Sequence, residues 1–247
     1  MQKVKVYDLP TRVFHLFFGV LFATSFLIGK FIDDESAIYA YHMLSGLMMV
    51  FMVILRIIWG IIGSKYAKFS SFKLNPKDLV KYFKNVLSGK TKRELGHNPA
   101  SSFAAILMFL LTFSLVGTGL LMVNGVEKEF FEEIHELFAF SFLLIVIAHI
   151  TGVLIHQLRH DDGMAFSMFN GTKKAVDGQL ENDRNSPVVL VIFLLLVIGF
   201  SANLLKNLDS QSGSLNLFGK QLQLVENEHH KKYNNEYYDM EDDHDDD

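Results

Sequence analysis

The sequence predicts an all-α integral membrane protein, with a four-helix transmembrane bundle and a fifth transmembrane helix. Half of the 247 residues are hydrophobic, and they include 23 Phe and ten Met. Four runs of about 20 mostly apolar residues, and a shorter fifth run, match the length that a helix needs to cross a bilayer. Backbone polar groups in lipid must bond within their own segment, so these runs are expected to be helices.

The charges between the apolar runs orient the chain. The amino terminus and the segments after the second and fourth runs are basic, whereas the other two loops are acidic. Lys and Arg are enriched in cytoplasmic loops. The sequence therefore predicts a multi-pass membrane protein with a cytosolic amino terminus and an extracytoplasmic tail.

The first helix is predicted over residues 11–31, because Asp8 and Pro10 form a typical helix start. The second is predicted over residues 38–62. A basic segment with nine Lys or Arg follows at residues 64–98. Within it, Asn75 and Pro76 predict the start of a short amphipathic helix with lysines on one side. We interpret this helix as lying on the membrane surface, with a soluble amphipathic turn as the alternative.

Three further apolar helices are predicted over residues 99–123, 134–156 and 187–205. From Lys206 the chain is polar, ends in EDDHDDD, and is expected to be disordered. The predicted organisation is therefore a four-helix membrane domain at residues 1–174, a linker and fifth transmembrane helix at residues 175–205, and an acidic extracytoplasmic tail at residues 206–247.

Four histidines carry the strongest functional signal. His135 and His149 are fourteen residues apart, close to four turns, so both leave one face of the fourth apolar helix about 21 Å apart. His15 opens the first helix and His42 the second. Because successive helices run in opposite directions, the depths pair His15 with His149 near the cytosol and His42 with His135 near the outer surface. A single such histidine is often only a packing residue.

Two depth-matched pairs predict two iron centres. In each, an iron carried by a flat cofactor would be bound between two imidazoles inside a helical bundle. The chain has no Cys, which excludes disulfides, Fe–S clusters and covalently attached c-type haem. Gly29, fourteen residues after His15, leaves side-chain-free surface at the outer depth. The sequence thus predicts two non-covalent haems.

Two arginines are candidate partners for haem propionates, because guanidinium binds carboxylate in bidentate fashion. Arg12 precedes His15 on the same side of its helix, although it is also explained as an ordinary cytosolic-side charge. Arg56 lies fourteen residues after His42, and its alternative is to extend to the membrane surface. His156 and His160, below His149, could compete as ligands. His97, at a helix start, is better suited to capping or to a quinone site.

Several motifs resemble those of bacterial cytochrome b561-type proteins, which include the b-type subunit of membrane-bound Ni–Fe hydrogenases. They occur in the order of that family and cover about residues 4–174. The motifs are DLPTRVFH at residues 8–15, RIIWGIIGS at 56–64, GHNP at 96–99, TG at 118–119, HEL at 135–137, HITGV at 149–153 and MFNGTK at 168–173.

The resemblance implies a four-helix core in the bacterial cytoplasmic (inner) membrane, with two haem b groups, each held by two histidines. His15, His42, His135 and His149 fall on the ligand positions of the family. It also implies electron exchange between membrane quinone and a redox partner, which would be a c-type cytochrome, a reductase or a hydrogenase. The fifth helix and the tail lie beyond the core of the family and are expected to serve an outer partner.

The leading hypothesis is therefore a transmembrane electron-transfer cytochrome, working as an electron carrier or as a subunit of a quinone-linked oxidoreductase. Bis-histidine ligation fills both axial positions of iron, which favours electron transfer. One alternative is a membrane anchor for a larger redox complex. A histidine-based metal transporter is disfavoured, because the helix centres lack Asp and Glu. The expected surroundings are membrane lipid and the quinone pool, without nucleic acid, and a homodimer is left open.

Overall fold

The computed structural model describes residues 2–178 and 186–225. Within them five helices are long and apolar enough to span a membrane, which confirms the predicted all-helical membrane class. The helices in chain order are α1 (Leu9–Phe31), α2 (Ala40–Ile62), α3 (Pro76–Leu87), α4 (Pro99–Val123), α5 (Lys128–His160), α6 (Ser167–Asn170) and α7 (Pro187–Lys206), with α3 and α6 too short to span. Short 3₁₀ turns occupy Ala37–Tyr39 and Phe69–Ser71.

The helix starts follow from local sequence. Asp8 accepts a hydrogen bond from the backbone N–H of Thr11 at 2.9 Å, and Asn98 accepts one from the backbone N–H of Ser101 at 2.8 Å. Asn75 caps α3 in the same way. Each cap is followed by proline in the first turn, where its missing N–H costs nothing. These ends therefore lie close to the predicted positions.

Helix α5 is longer than the predicted span of residues 134–156. It begins six residues earlier and ends four residues later. Half of the added residues are charged, and Lys, Glu, Gln and Arg are good helix formers outside the lipid. Asp161 then ends the helix in a left-handed conformation. The apolar run thus marked the part of the helix in lipid rather than the whole helix.

The long helices pack around a common core. Helix α1 packs against α2, α2 against α4, and α4 against α5. Phe22 of α1 and Phe142 of α5 stack with ring centres 4.7 Å apart, so α1 also contacts α5. Phe142, Met52 and Val53 are completely buried there. Helix α7 packs on α1 and α2, and its buried side chains belong to the same core.

Two small sheets lie at the helix ends. Strand β1 (Lys3–Lys5) pairs antiparallel with β2 (Thr172–Lys174), which ties the amino terminus to the segment after α5. Strands β3 (Leu208–Asp209), β4 (Ser214–Leu217) and β5 (Lys220–Gln223) form a meander directly after α7.

The meander corrects the prediction that the chain is disordered from Lys206 onward. Leu215 and Leu222 lie opposite each other in adjacent strands, and both are buried together with Leu204 at the end of α7. Alternating apolar residues flank the turn at Phe218 and Gly219, a period-two pattern typical of a hairpin. The acidic part of the tail, residues 226–247, lies outside the described residues.

Candidate functional site

The structure brings together the same two histidine pairs that the depths predict. His15 of α1 faces His149 of α5, with ring centres 6.3 Å apart. His42 of α2 faces His135 of α5, with ring centres 6.0 Å apart. Both pairs share α5, and fourteen residues of helix separate them by about 21 Å along its axis.

Both gaps fit one metal ion between two imidazoles. A metal–imidazole bond is about 2 Å long, and the ring centre lies roughly 1 Å beyond the nitrogen, so two opposed rings have centres about 6 Å apart. Among the described residues, no group of three or more His, Cys, Asp or Glu converges on one point. Each pair therefore supplies only two ligands, and the remaining ligands of an iron would have to come from a flat cofactor such as a porphyrin.

Hydrogen bonds bear on the tautomers of the His42–His135 pair. Nδ1 of His42 lies 2.8 Å from the backbone carbonyl of Ser25, and a carbonyl can only accept, so this nitrogen carries the proton. In the neutral ring, Nε2 then keeps its lone pair for a metal. A carbonyl behind a ligating imidazole is the usual arrangement at metal sites, because it fixes the ring and raises its basicity.

Thr118 acts on His135 in the same sense. Its hydroxyl donates to the carbonyls of Ser114 and Leu115, each at 3.0 Å. The hydroxyl has a single proton, and when a carbonyl accepts it the oxygen accepts a hydrogen bond from Nδ1 of His135, 2.9 Å away, which leaves the lone pair of Nε2 free in this ring as well. The TG motif at residues 118–119 indicated Thr118, whereas no pattern near Ser25 in the chain predicted its contact with His42.

Glycines lie next to the rings of the His42–His135 pair. A Cβ at Gly29 would lie 2.8 Å from Nδ1 of His42, so only glycine fits where α1 meets this ring. Gly119 lies on the other side, where a Cβ would meet Cε1 of His135 at 3.8 Å. An apolar cavity extends between the two histidines, with Phe22, Gly46, Leu47 and Val116 among its lining residues.

The two predicted arginines lie at the His15–His149 end of the bundle and have unused donors. Arg56 is only 4% exposed; its Nη2 donates to the carbonyl of Ala67 at 2.9 Å, but its Nη1 has no hydrogen-bond partner. The buried Nε of Arg12 also has none. Buried guanidinium nitrogens without partners are costly, so both side chains are suited to receive an anionic group.

Other histidines at this end have different surroundings. His97 packs against Phe72, with ring centres 4.5 Å apart. Burial, followed by the nearby charges of Arg56 and Lys173, lowers the pKa of His97 to about 3, so this ring is neutral at physiological pH. It belongs to neither histidine pair.

The two histidines considered as competing ligands also have other contacts. Nε2 of His156 lies 3.1 Å from a carboxylate oxygen of Asp162, and Nε2 of His160 lies 2.8 Å from the hydroxyl of Thr91. Lys173, 2% exposed over the ring of Tyr7, is a buried cation that the sequence did not single out. Its place in the MFNGTK motif was the available signal.

Comparison with known proteins agrees with this geometry. The family model described as prokaryotic cytochrome b561 matches residues 6–171. The probable Ni/Fe-hydrogenase 1 B-type cytochrome subunits of Escherichia coli strain K12 and of Escherichia coli O157:H7 are each 23% identical over 225 residues, covering 73% of this chain and 95% of theirs. No solved structure matches the chain significantly. The chain therefore belongs to the prokaryotic cytochrome b561 family, whose members are multi-pass membrane proteins that transfer electrons through haem b.

Proposed function

We propose that this protein carries electrons across the bacterial cytoplasmic membrane, between membrane quinone and a redox partner, through two haem b groups. The observation that supports the proposal most directly is the two facing histidine pairs, with ring centres 6.3 and 6.0 Å apart, at two depths of one helix. Two imidazole ligands for each haem would favour electron transfer over oxygen binding.

His15 and His149 hold the inner haem, and His42 and His135 hold the outer haem. Helices α1, α2, α4 and α5 form the four-helix bundle around both. Arg12 and Arg56 bind the propionates of the inner haem, supported by their buried nitrogens without partners. The amino terminus faces the cytosol, because the basic loops lie on the side of the inner pair.

The partner is an oxidoreductase subunit or a c-type cytochrome. The two Escherichia coli relatives are named as hydrogenase cytochrome subunits, which supports a hydrogenase or a similar enzyme as the partner. Helix α7 and the β3–β5 meander lie beyond the matched residues 6–171, and with a cytosolic amino terminus the meander is extracytoplasmic. We therefore propose that these elements contact the partner on that side.

The test is an optical spectrum of the purified full chain, reduced minus oxidised, with a pyridine haemochrome count. We expect two low-spin haem b per chain, both reduced by a short-chain quinol. One haem per chain would overturn the two-haem proposal. A colourless protein would overturn the cytochrome assignment of the histidines and favour a metal transporter.

Thr118→Val tests how the outer haem is tuned. Valine keeps the shape of threonine but cannot accept the proton of His135 Nδ1, so this imidazole becomes a weaker donor to ferric iron. We expect one of the two midpoint potentials to rise. A hydrogen bond contributes about 0.5–1.5 kcal/mol, and 59 mV corresponds to a tenfold change for one electron, so the rise is at most about 60 mV.

The measurement is a redox titration that resolves both haems. Thr112→Val is the matched control, because its hydroxyl bonds the carbonyl of Met108 in the same helix. An unchanged pair of potentials in Thr118→Val, with two haems retained, would contradict a tuning role for Thr118.

A further inference from the structure

Helix α3 has one side attached to the protein. It packs against α4, and the carbonyl of Val86 accepts a hydrogen bond from Nη1 of Arg159 at the end of α5, at 2.6 Å. Leu79, Tyr82 and Val86 on this side are partly buried. The helix is therefore held beside the ends of two membrane-spanning helices, at the depth where the bilayer meets water.

A second side of α3 is apolar and uncovered. Val80, Phe83 and Leu87 follow the i, i+3, i+7 spacing of one helical stripe. Their exposed fractions are 55%, 52% and 88%. No residue of α3 is fully buried. An amphipathic helix fixed beside transmembrane helices thus directs three large apolar side chains away from the protein.

Lysines border that stripe. At 100° per residue, Lys77, Lys81 and Lys84 lie next to Val80 and on one edge of the apolar stripe. All three are exposed. Asp78 lies on the opposite side of the helix and is exposed as well. The order around α3 is therefore protein, apolar stripe, lysines and then the acidic side.

We propose that α3 lies in the cytoplasmic leaflet, with Val80, Phe83 and Leu87 among the acyl chains and with the three lysines bound to anionic phospholipid headgroups. Apolar side chains flanked by Lys are the pattern of interfacial helices that favour anionic lipid. The positive charge of the three lysines and the position of α3 beside the helix ends favour anionic lipid as the occupant of this surface. An acidic protein surface is the competing occupant, and the experiments distinguish it.

The first experiment measures where the stripe lies. Because the chain has no Cys, Phe83→Cys and Leu87→Cys each give a single labelling site, and Asp78→Cys is the matched control on the same helix. The full, haem-loaded chain is spin-labelled in nanodiscs. We expect labels at positions 83 and 87 to collide with oxygen more than with a water-soluble nickel chelate, and the label at position 78 to do the reverse. Equal access to nickel at all three positions, or protection from both reagents, would overturn the proposal.

The second experiment measures lipid choice. Lys81→Gln/Lys84→Gln is compared with Lys90→Gln/Lys92→Gln, which removes the same charge from exposed lysines outside α3. Each full-length protein is equilibrated with equal amounts of phosphatidylglycerol and phosphatidylcholine, and the retained lipid is quantified by mass spectrometry. We expect the native chain and the control to retain more phosphatidylglycerol, and the α3 variant to lose this preference.

Equal preference in both variants would overturn the role of the lysines. Haem content, measured in the same samples, reports the proposed electron-transfer function separately. A loss of lipid preference with two haems retained would therefore support lipid binding by α3 without bearing on the haem ligands.

Discussion

Alanine at His42 or His135 is expected to remove one haem from the chain and to leave the other. Each replacement removes one of two facing imidazoles, whose ring centres are 6.0 Å apart. The remaining ring cannot hold a six-coordinate low-spin iron alone. The pyridine haemochrome count should fall from two to one per chain. Alanine at His15 or His149 should have the same effect on the inner haem.

Double variants test the pairing itself. His42→Ala/His135→Ala removes both ligands of one proposed site, so we expect it to keep one haem. His42→Ala/His149→Ala removes one ligand from each site, so we expect it to keep none. His160→Ala is the control, because this histidine bonds Thr91 outside both pairs, and it should keep two.

A reversed result would contradict the proposed sites. If the within-pair variant lost both haems while circular dichroism and size-exclusion chromatography remained native, the two sites would not be independent. If the cross-pair variant kept a haem, the pairing would be wrong. Helical content and elution volume separate both outcomes from a failure to fold.

Gly29→Ala is expected to disrupt the outer haem from a position that contributes no ligand. The added methyl would lie 2.8 Å from Nδ1 and 2.9 Å from Cε1 of His42, closer than real contacts allow, so the imidazole must move. Its hydrogen bond to the carbonyl of Ser25, one turn earlier in α1, is then strained or lost. Overpacking costs about 1–3 kcal/mol, and we expect a lost or high-spin outer haem with the inner haem unchanged.

The matched control is Gly199→Ala in α7, where an added Cβ has no atom within 4 Å. Both variants receive a haem count and an electron paramagnetic resonance spectrum. Two unchanged low-spin signals in Gly29→Ala would show that His42 adapts to the methyl group without leaving the iron. The close approach of α1 to His42 would then have no role in haem binding.

One part of the site, the pairing of the histidines by depth, could be predicted from the sequence alone. Hydrophobic length identifies a transmembrane helix, and loop charge gives its direction. The depth of a histidine then follows from its position in the helix at 1.5 Å per residue. His15 could thus be paired with His149 across more than a hundred residues of chain.

Lateral contacts between helices could not be predicted in this way. Gly29 was expected only to leave open surface, but the structure presses it against His42. No sequence pattern indicated Ser25, although its carbonyl fixes the tautomer of that ring. Such contacts depend on the rotation and crossing of α1 and α2, which packing decides and a single-helix pattern does not contain.

The sequence by itself determined the five membrane spans, the helix caps and the two levels of histidine, because each follows from hydrophobicity or spacing within one segment. Only the tertiary structure decided the β1–β2 pairing, the meander after α7 and the hydrogen bonds behind His42 and His135. Short strands gain stability only when a partner strand or a packed face is available. Leu215 and Leu222 acquire that face from each other and from Leu204, and this arrangement exists only once the chain has folded.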